Sequence, residues 1–394
     1  MTVVHPIARA LISTGGTGAR NYDEFADDAE ITDIVAANPD SALAIEMPHR
    51  APDSLGKSFT EALPDAVERL RRQRAEGRYA PAEQVVALYR IGDGDDAAYG
   101  LFAMVDTDEI STSADEPGRV IRNEDVFLEK VRERVALAEA TGHLLSPVLL
   151  LQTGTELDKA LRAAVEAAGA PAVTDTDHVG RTHAVWPVTG DAATELAALA
   201  GRGELVVADG NHRSLAAQTG GLRQFLAVIT TPASVAIQPY HRLVSDPPVP
   251  LPVLVNRLSA AGSTVAEGTP TIPAGGTIIL YGQGQAYAVR LPGIHGDTIV
   301  DGMDHTLVEQ LLFRDALDMD PGDKRITYVG GDYPPSWLTS EVDAGRADLA
   351  ILIAPVTVDD FIAVNLARQK MPRKSTWFTP KARGGLVLAD LSAS

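Results

Sequence analysis

Residues 204–217 read ELVVADGNHRSLAA, and the reading of this stretch decides the fold. Leu205–Ala208 are apolar or small and β-prone, which predicts a buried strand. The chain breaks at Asp209-Gly210-Asn211 and resumes as a short Ala-rich helix from about Arg213. A strand turning sharply into a helix points free backbone N–H groups and the positive dipole end at whatever sits in the turn. His212 and Arg213 stand where they could grip phosphate oxygens, and a guanidinium can do so bidentately. Gly210, Asn211 and Ser214 complete this candidate phosphate-binding turn. The competing reading is an ordinary Asp-Gly turn carrying an exposed His and Arg.

The surrounding chain predicts mixed α/β structure with no strict βαβ rhythm and no internal repeat. Strands are expected at QVVALYRI and AYGLFAMV, at SPVLLLQ (146–152) and at THAVWPV (182–188). SALAIEM (41–47) also has strand character. Helices are expected at EITDIVAA and over 59–77, the latter with Leu63, Val67 and Leu70 on one face. Two more are expected from Glu124 to Thr141 and over 156–169, closed by Gly142 and Gly169. TGGTGAR (14–20) follows no clear strand and reads as a mobile entry loop or a phosphate cradle. SDPPVPLP (245–252) is the linker candidate, dividing a main domain, 1–245, from a smaller α/β lobe, 246–394. In that lobe, GQGQ reads as a hairpin turn between TIILY and AYAVRL.

A chain of 394 residues exceeds one small core, and 45% hydrophobic with 22% charged residues is ordinary for a globular protein. With no run of eighteen apolar residues and no secretory pattern at the N-terminus, a cytoplasmic protein with no membrane partner is expected. The absence of cysteine excludes disulfides and thiolate metal sites. The net charge of −19 argues against nucleic acid as a partner. The acidic runs YDEFADDAE (22–30), GDGDD (92–96) and DTDEISTSADE (106–116) read mainly as solvated loops, some able to help hold a divalent cation beside a phosphorylated substrate. Neither a P-loop, nor HExxH, nor a nucleophile elbow occurs.

Two further patches carry chemistry. In VIRNEDVF (120–127), Arg122 and Glu124 flank a helix start that Asn123 or Asp125 could cap. A carboxylate within reach of a substrate hydroxyl is the usual general base in phosphoryl transfer, while an acidic residue favouring the helix dipole is the plainer reading. The tail QKMPRKSTWFTPKARGG (369–385) gathers Lys370, Arg373, Lys374, Lys381 and Arg383, with Ser375 and Thr376 as hydroxyl donors. Trp377 and Phe378 could anchor it, so the tail is expected to fold back over the site.

Taken in order, VIRNEDVFLEKVRERVALAEATGHLLSPVLLL, THAVWPV, VVADGNHRSLAA, PYHRLVSD and KMPRKSTWFTPKARGGLVL resemble the DUF1015 family of bacterial and archaeal proteins. The Asp-Gly-x-His-Arg turn is also similar to the phosphate-binding element of the ParB/sulfiredoxin-like fold, which includes free serine kinases. The resemblance implies a Mg²⁺-dependent phosphotransferase using a nucleotide or pyrophosphate and acting on the hydroxyl of a small amino acid. Glu124 would be its general base, and His212, Arg213 and the helix N-terminus would bind donor phosphates. Arg122, Lys374, Ser375 and Thr376 would assist, and Asp209 would hold Mg²⁺ directly or through water. A phosphohydrolase or a non-catalytic nucleotide-binding module are the alternatives. Asn123 and Asn211 stand where the family typically has His, which keeps hydrogen bonding and removes the proton-carrying option.

Overall fold

The computed structural model describes residues 2–25, 27–111, 118–122, 128–293 and 296–393. The chain forms two compact units, Met1–Val235 joined by Pro380–Ser394, and Ala236–Thr379. The division therefore falls at residues 235 and 236, ahead of the proline-rich run, and the C-terminal residues return to the first unit. SDPPVPLP instead connects the strand His241–Val244 to the helix Leu251–Ala260 inside the second unit.

The mixed α/β expectation holds in both units. In the first, a 13-stranded sheet places Val120–Ile121, Leu205–Asp209, Val148–Gln152, Gln224–Thr230, Ala98–Asp106, Tyr79–Ile91, Ile7–Ser13 and Val387–Asp390 side by side in that order. Val85 to Leu88 and Leu101 to Val105 are buried runs, as strands covered on both faces require. Midway along Tyr79–Ile91, Gln84 adopts a φ of 48°, while the register with Ile7–Ser13 is unchanged on either side of it, Glu83 facing Arg9 and Val85 facing Ile7. The helices Glu156–Ala167 and Gly190–Ala200 pack on this sheet through Leu157, Leu161 and Val165, and through Ala193, Ala197 and Ala200. These i, i+4, i+8 and i, i+4, i+7 spacings each keep one stripe inward, and each buried Leu or Val contributes roughly 1.5–3 kcal/mol. The helices Leu128–Thr141 and Asn211–Thr219 pack against one another.

Three local expectations fail, each for a physical reason. SALAIEM forms a short helix, Leu43–Glu46, because a brief apolar run cannot separate a buried helix from a strand. In the helix Leu63–Ala75 the inward residues are Ala66, Arg69, Leu70 and Gln73, while Val67 is exposed. Arg69 goes inside because its guanidinium donates to the Ala44 carbonyl at 2.9 Å and to Ser54 Oγ at 2.6 Å. TGGTGAR follows a strand after all, Ile7–Ser13, and is pinned: Thr17 Oγ1 donates to the Gly385 carbonyl at 2.7 Å, and Ala19 bridges Gly384.

The second unit is built on a six-stranded sheet ordered Thr264–Glu267, Gln285–Arg290, Ile278–Gly282, Leu349–Ile353, His241–Val244 and Ile326–Val329. Gln283 and Gly284, both at positive φ, close the expected hairpin, as a two-residue turn matched to strand twist demands. Arg242 is fully buried there, stacked 4.1 Å from the Tyr328 ring and donating to the carbonyls of Tyr240 and His241.

Candidate active site

The strand Leu205–Asp209 runs antiparallel to Val148–Gln152, and its register slips between Val207 and Asp209. The extra residue, Ala208, is the one left out of the ladder, and Asp209 pairs with Leu149 at the strand's end. The helix begins at Asn211, two residues earlier than the sequence suggests, with Gly210 as its N-cap at φ 92°. A side chain is excluded at Gly210 twice over. The φ is left-handed, and a Cβ would lie 2.8 Å from Arg213 Nε and 3.2 Å from Val148 Cα. Gly210→Ala should therefore cost on the order of 1–3 kcal/mol of stability. A urea midpoint within error of the wild type would show that the turn relaxes at no cost.

Asp209 is held between two cations. Its Oδ2 accepts from Arg213 Nη2 at 2.6 Å and its Oδ1 from Lys381 Nζ at 3.0 Å. Arg213 Nη1 donates to Asn21 Oδ1 at 2.7 Å, and Asn21 Nδ2 donates to Glu24 Oε1 at 2.7 Å. Asn21 and Glu24 are buried and the Arg213 side chain is only 9% exposed, so this is an interior network rather than a surface cluster. Burial opposes the charged forms of Arg213 and Lys381, but the Asp209 carboxylate beside both raises their pKa values on balance. Burial also raises the Glu24 carboxyl, against the pull of Lys381. Glu46, nearby, is raised in the same way, with Arg134 opposing.

The predicted site residues fall in four places. Asp209, Gly210, Asn211, His212 and Arg213 form the strand-to-helix turn. Ser214 belongs to the same helix, but it is fully buried and its hydroxyl donates back to the Asn211 carbonyl at 3.0 Å. Arg122 directly follows Val120–Ile121, a strand that pairs in parallel with Leu205–Val206, so it issues from the strand beside the turn. Glu124, with Asn123 and Asp125, lies outside the described residues. Lys374, Ser375 and Thr376 belong to the second unit, and Lys374 adopts a positive φ of 49°.

Lys381, Asn21 and Glu24 are the residues that sequence reasoning left out of the site. Lys381 lay within the basic tail, whereas Glu24 falls within the acidic run read as solvated and Asn21 immediately precedes it. As a magnesium ligand, Asp209 does not fit: both of its oxygens are engaged by cations. Among the described residues no three His, Asp or Glu side chains gather as a metal site.

The DUF1015 family model, described as a protein of unknown function, matches residues 17–310. The chain belongs to the DUF1015 family. No curated protein matches it by sequence. Among solved structures, this DUF1015 chain is similar to a free serine kinase in complex with AMP at 13% identity, over 71% of this chain and 87% of that one, with a TM-score of 0.39. SbnI with a C-terminal truncation, from Staphylococcus aureus, matches at 15% identity over 72% and 84%, with a TM-score of 0.40. A conserved hypothetical protein from Pyrococcus furiosus matches at 13% identity over 71% and 90%, with a TM-score of 0.37. No helix among the described residues of this DUF1015 protein is long and apolar enough to cross a membrane.

Proposed function

We propose that the first unit transfers a phosphoryl group from a nucleotide or pyrophosphate to the hydroxyl of a small amino acid. The observation that carries this reading is the Asp209–Arg213 turn, where one carboxylate organises two largely buried cations beside a helix N-terminus. Phosphoryl transfer asks little covalent chemistry of a protein and much electrostatic positioning. The backbone N–H groups at the start of Asn211–Thr219, with His212 and Asn211, bind the donor phosphates. Arg213 and Lys381 supply positive charge, and Asp209 fixes their geometry. Arg122 approaches from the neighbouring strand, and Glu124 accepts the proton from the acceptor hydroxyl as the new P–O bond forms. Asp209 acts in this reading through the cations, and no step is routed through a metal.

Phosphorus-31 NMR tests the reading. The protein is given ATP, ADP, CTP and pyrophosphate in turn, with and without L-serine and L-homoserine. The expected result is a phosphomonoester resonance that requires the amino acid, which also names the donor. Free phosphate in every tube would replace the transferase by a hydrolase, and unchanged spectra throughout would leave a phosphate-binding protein without turnover.

A further inference from the structure

A cavity of ≈ 380 Å³ lies in the first unit between the helices Leu128–Thr141 and Asn211–Thr219. Its walls are largely apolar, and on the second helix and just beyond it Ala216, Ala217 and Gly220 leave open the volume that larger side chains would fill. Pockets of this size with a few convergent polar groups are the usual form of a small-molecule site. Glu139, His143 and Ser392 also line the cavity, but the polar groups that converge are Glu46, Arg134, Ser146 and Arg213: the other three all act on the Glu46 carboxyl, so the four are neighbours.

These polar groups do not satisfy one another. Glu46 is 3% exposed and Arg134 8%, yet Glu46 Oε2, Arg134 Nε and Nη1, and Arg213 Nε all lack a hydrogen-bond partner. Arg134 stacks its flat face 4.1 Å from the centre of the Tyr22 ring and 5.1 Å from that of Phe59, and its Nη2 reaches only the Met47 sulfur at 3.8 Å. A guanidinium gripped by its faces keeps its edge donors for something else. Buried donors and acceptors left this way cost free energy that a ligand of matching charge returns.

We infer that this cavity binds an α-amino acid with an apolar side chain, its carboxylate on Arg134 with Arg213 beside it, its ammonium on Glu46, and its side chain against Ala216, Ala217 and Gly220. A zwitterion supplies both missing partners at once, an acceptor for the guanidinium edge and a donor for the carboxyl oxygen. The apolar walls select against serine and its close analogues. The inference stands apart from the phosphotransfer reading, although Arg213 belongs to both sites.

Isothermal titration calorimetry on the full chain tests it, with L-phenylalanine, L-leucine, 3-phenylpropionate, 2-phenylethylamine and L-serine as probes. Phenylalanine or leucine should bind saturably. Removing the ammonium, the carboxylate or the apolar body should each weaken binding at least about tenfold, as loss of a charged hydrogen bond or of a buried side chain does. Arg134→Met should abolish binding. Because that variant removes a stacked buried residue, Ala216→Leu, which fills the cavity and leaves every charge in place, is measured beside it and should weaken binding by at least about tenfold. Absence of binding by both amino acids, equal affinity for phenylalanine and 3-phenylpropionate, or unchanged affinity in Ala216→Leu would each overturn the proposal. Failure of the phosphotransfer reading would show only in the NMR assay.

Discussion

Glu124→Gln should abolish turnover and leave thermal stability where it was, whereas Asp209→Asn should lower both. The two carboxylates are given different work. Gln keeps the size and hydrogen bonding of Glu124 and loses only the capacity to accept a proton, a loss of about 10²–10⁴ in kcat for a general base. Asp209 accepts from Arg213 and Lys381 at 2.6 and 3.0 Å with both partners largely buried. Neutralising it leaves two buried cations facing an amide that can accept from only one of them. Breaking a buried ion pair from one side costs on the order of 3–5 kcal/mol. Inorganic phosphate should then restore Asp209→Asn more than it stabilises the wild type, because an anion replaces the missing charge and binds the folded state alone. Melting curves with and without phosphate, beside the NMR assay, read both effects. If magnesium, and not phosphate, stabilises the wild type and that response vanishes in Asp209→Asn, then Asp209 is a metal ligand and the ion-pair account is wrong.

The turn itself was open to reading from sequence because its causes are local. Four apolar residues specify a buried strand, and Asp-Gly specifies the break. The earlier helix start is a consequence of Gly210 taking a left-handed φ, which allows Asn211 to be helical at once. What surrounds the turn is not local. Lys381 reaches Asp209 across 172 residues of sequence, and Asn21 reaches Arg213 across 192. Nothing in the run YDEFADDAE separates Glu24, buried by its bonds to Asn21, from acidic neighbours that face solvent. Arg69 and Arg134 escaped for a related reason: pattern reading sends a guanidinium outward, whereas these two are retained by carbonyls in one case and aromatic faces in the other. The unit boundary at residues 235 and 236 has no compositional mark, since it is set by which part of the chain each strand joins. Proline-rich SDPPVPLP marks a loop, and a loop is all that it is.

Acidification should weaken each unit through buried histidines, among them His183 in the first and His241 in the second. In the first, His183 Nδ1 accepts the Tyr89 hydroxyl proton at 2.5 Å, since Tyr89 itself accepts from the Arg383 backbone N–H. Nε2–H then donates to Asp177 Oδ2 at 3.3 Å, so a second proton must enter at the nitrogen already serving as acceptor. Burial, with Arg383 adding repulsion and Asp177 opposing, holds the His183 pKa down to about 4. In the second unit, His241 Nδ1 accepts the Ile353 backbone N–H at 3.1 Å, and burial with the adjacent Arg242 holds it down to about 4 as well. The unfolded chain takes up a proton at each histidine near pH 6.5 and the folded chain only near 4. Stability is therefore fully present above about pH 6.5 and falls as the pH drops towards 4, by roughly 3 kcal/mol for each histidine. The raised carboxyls of Glu24 and Glu46 act with the opposite sign, because the folded state binds their protons first and gains stability as the pH falls. The difference between variants isolates the histidine from that background. Urea unfolding of wild type and His183→Gln at pH 7.5, 5.5 and 4.5 should show the wild type losing roughly 3 kcal/mol more than the variant in the first unit. Parallel curves would mean that His183 titrates normally and that its bond to Tyr89 does not hold it neutral.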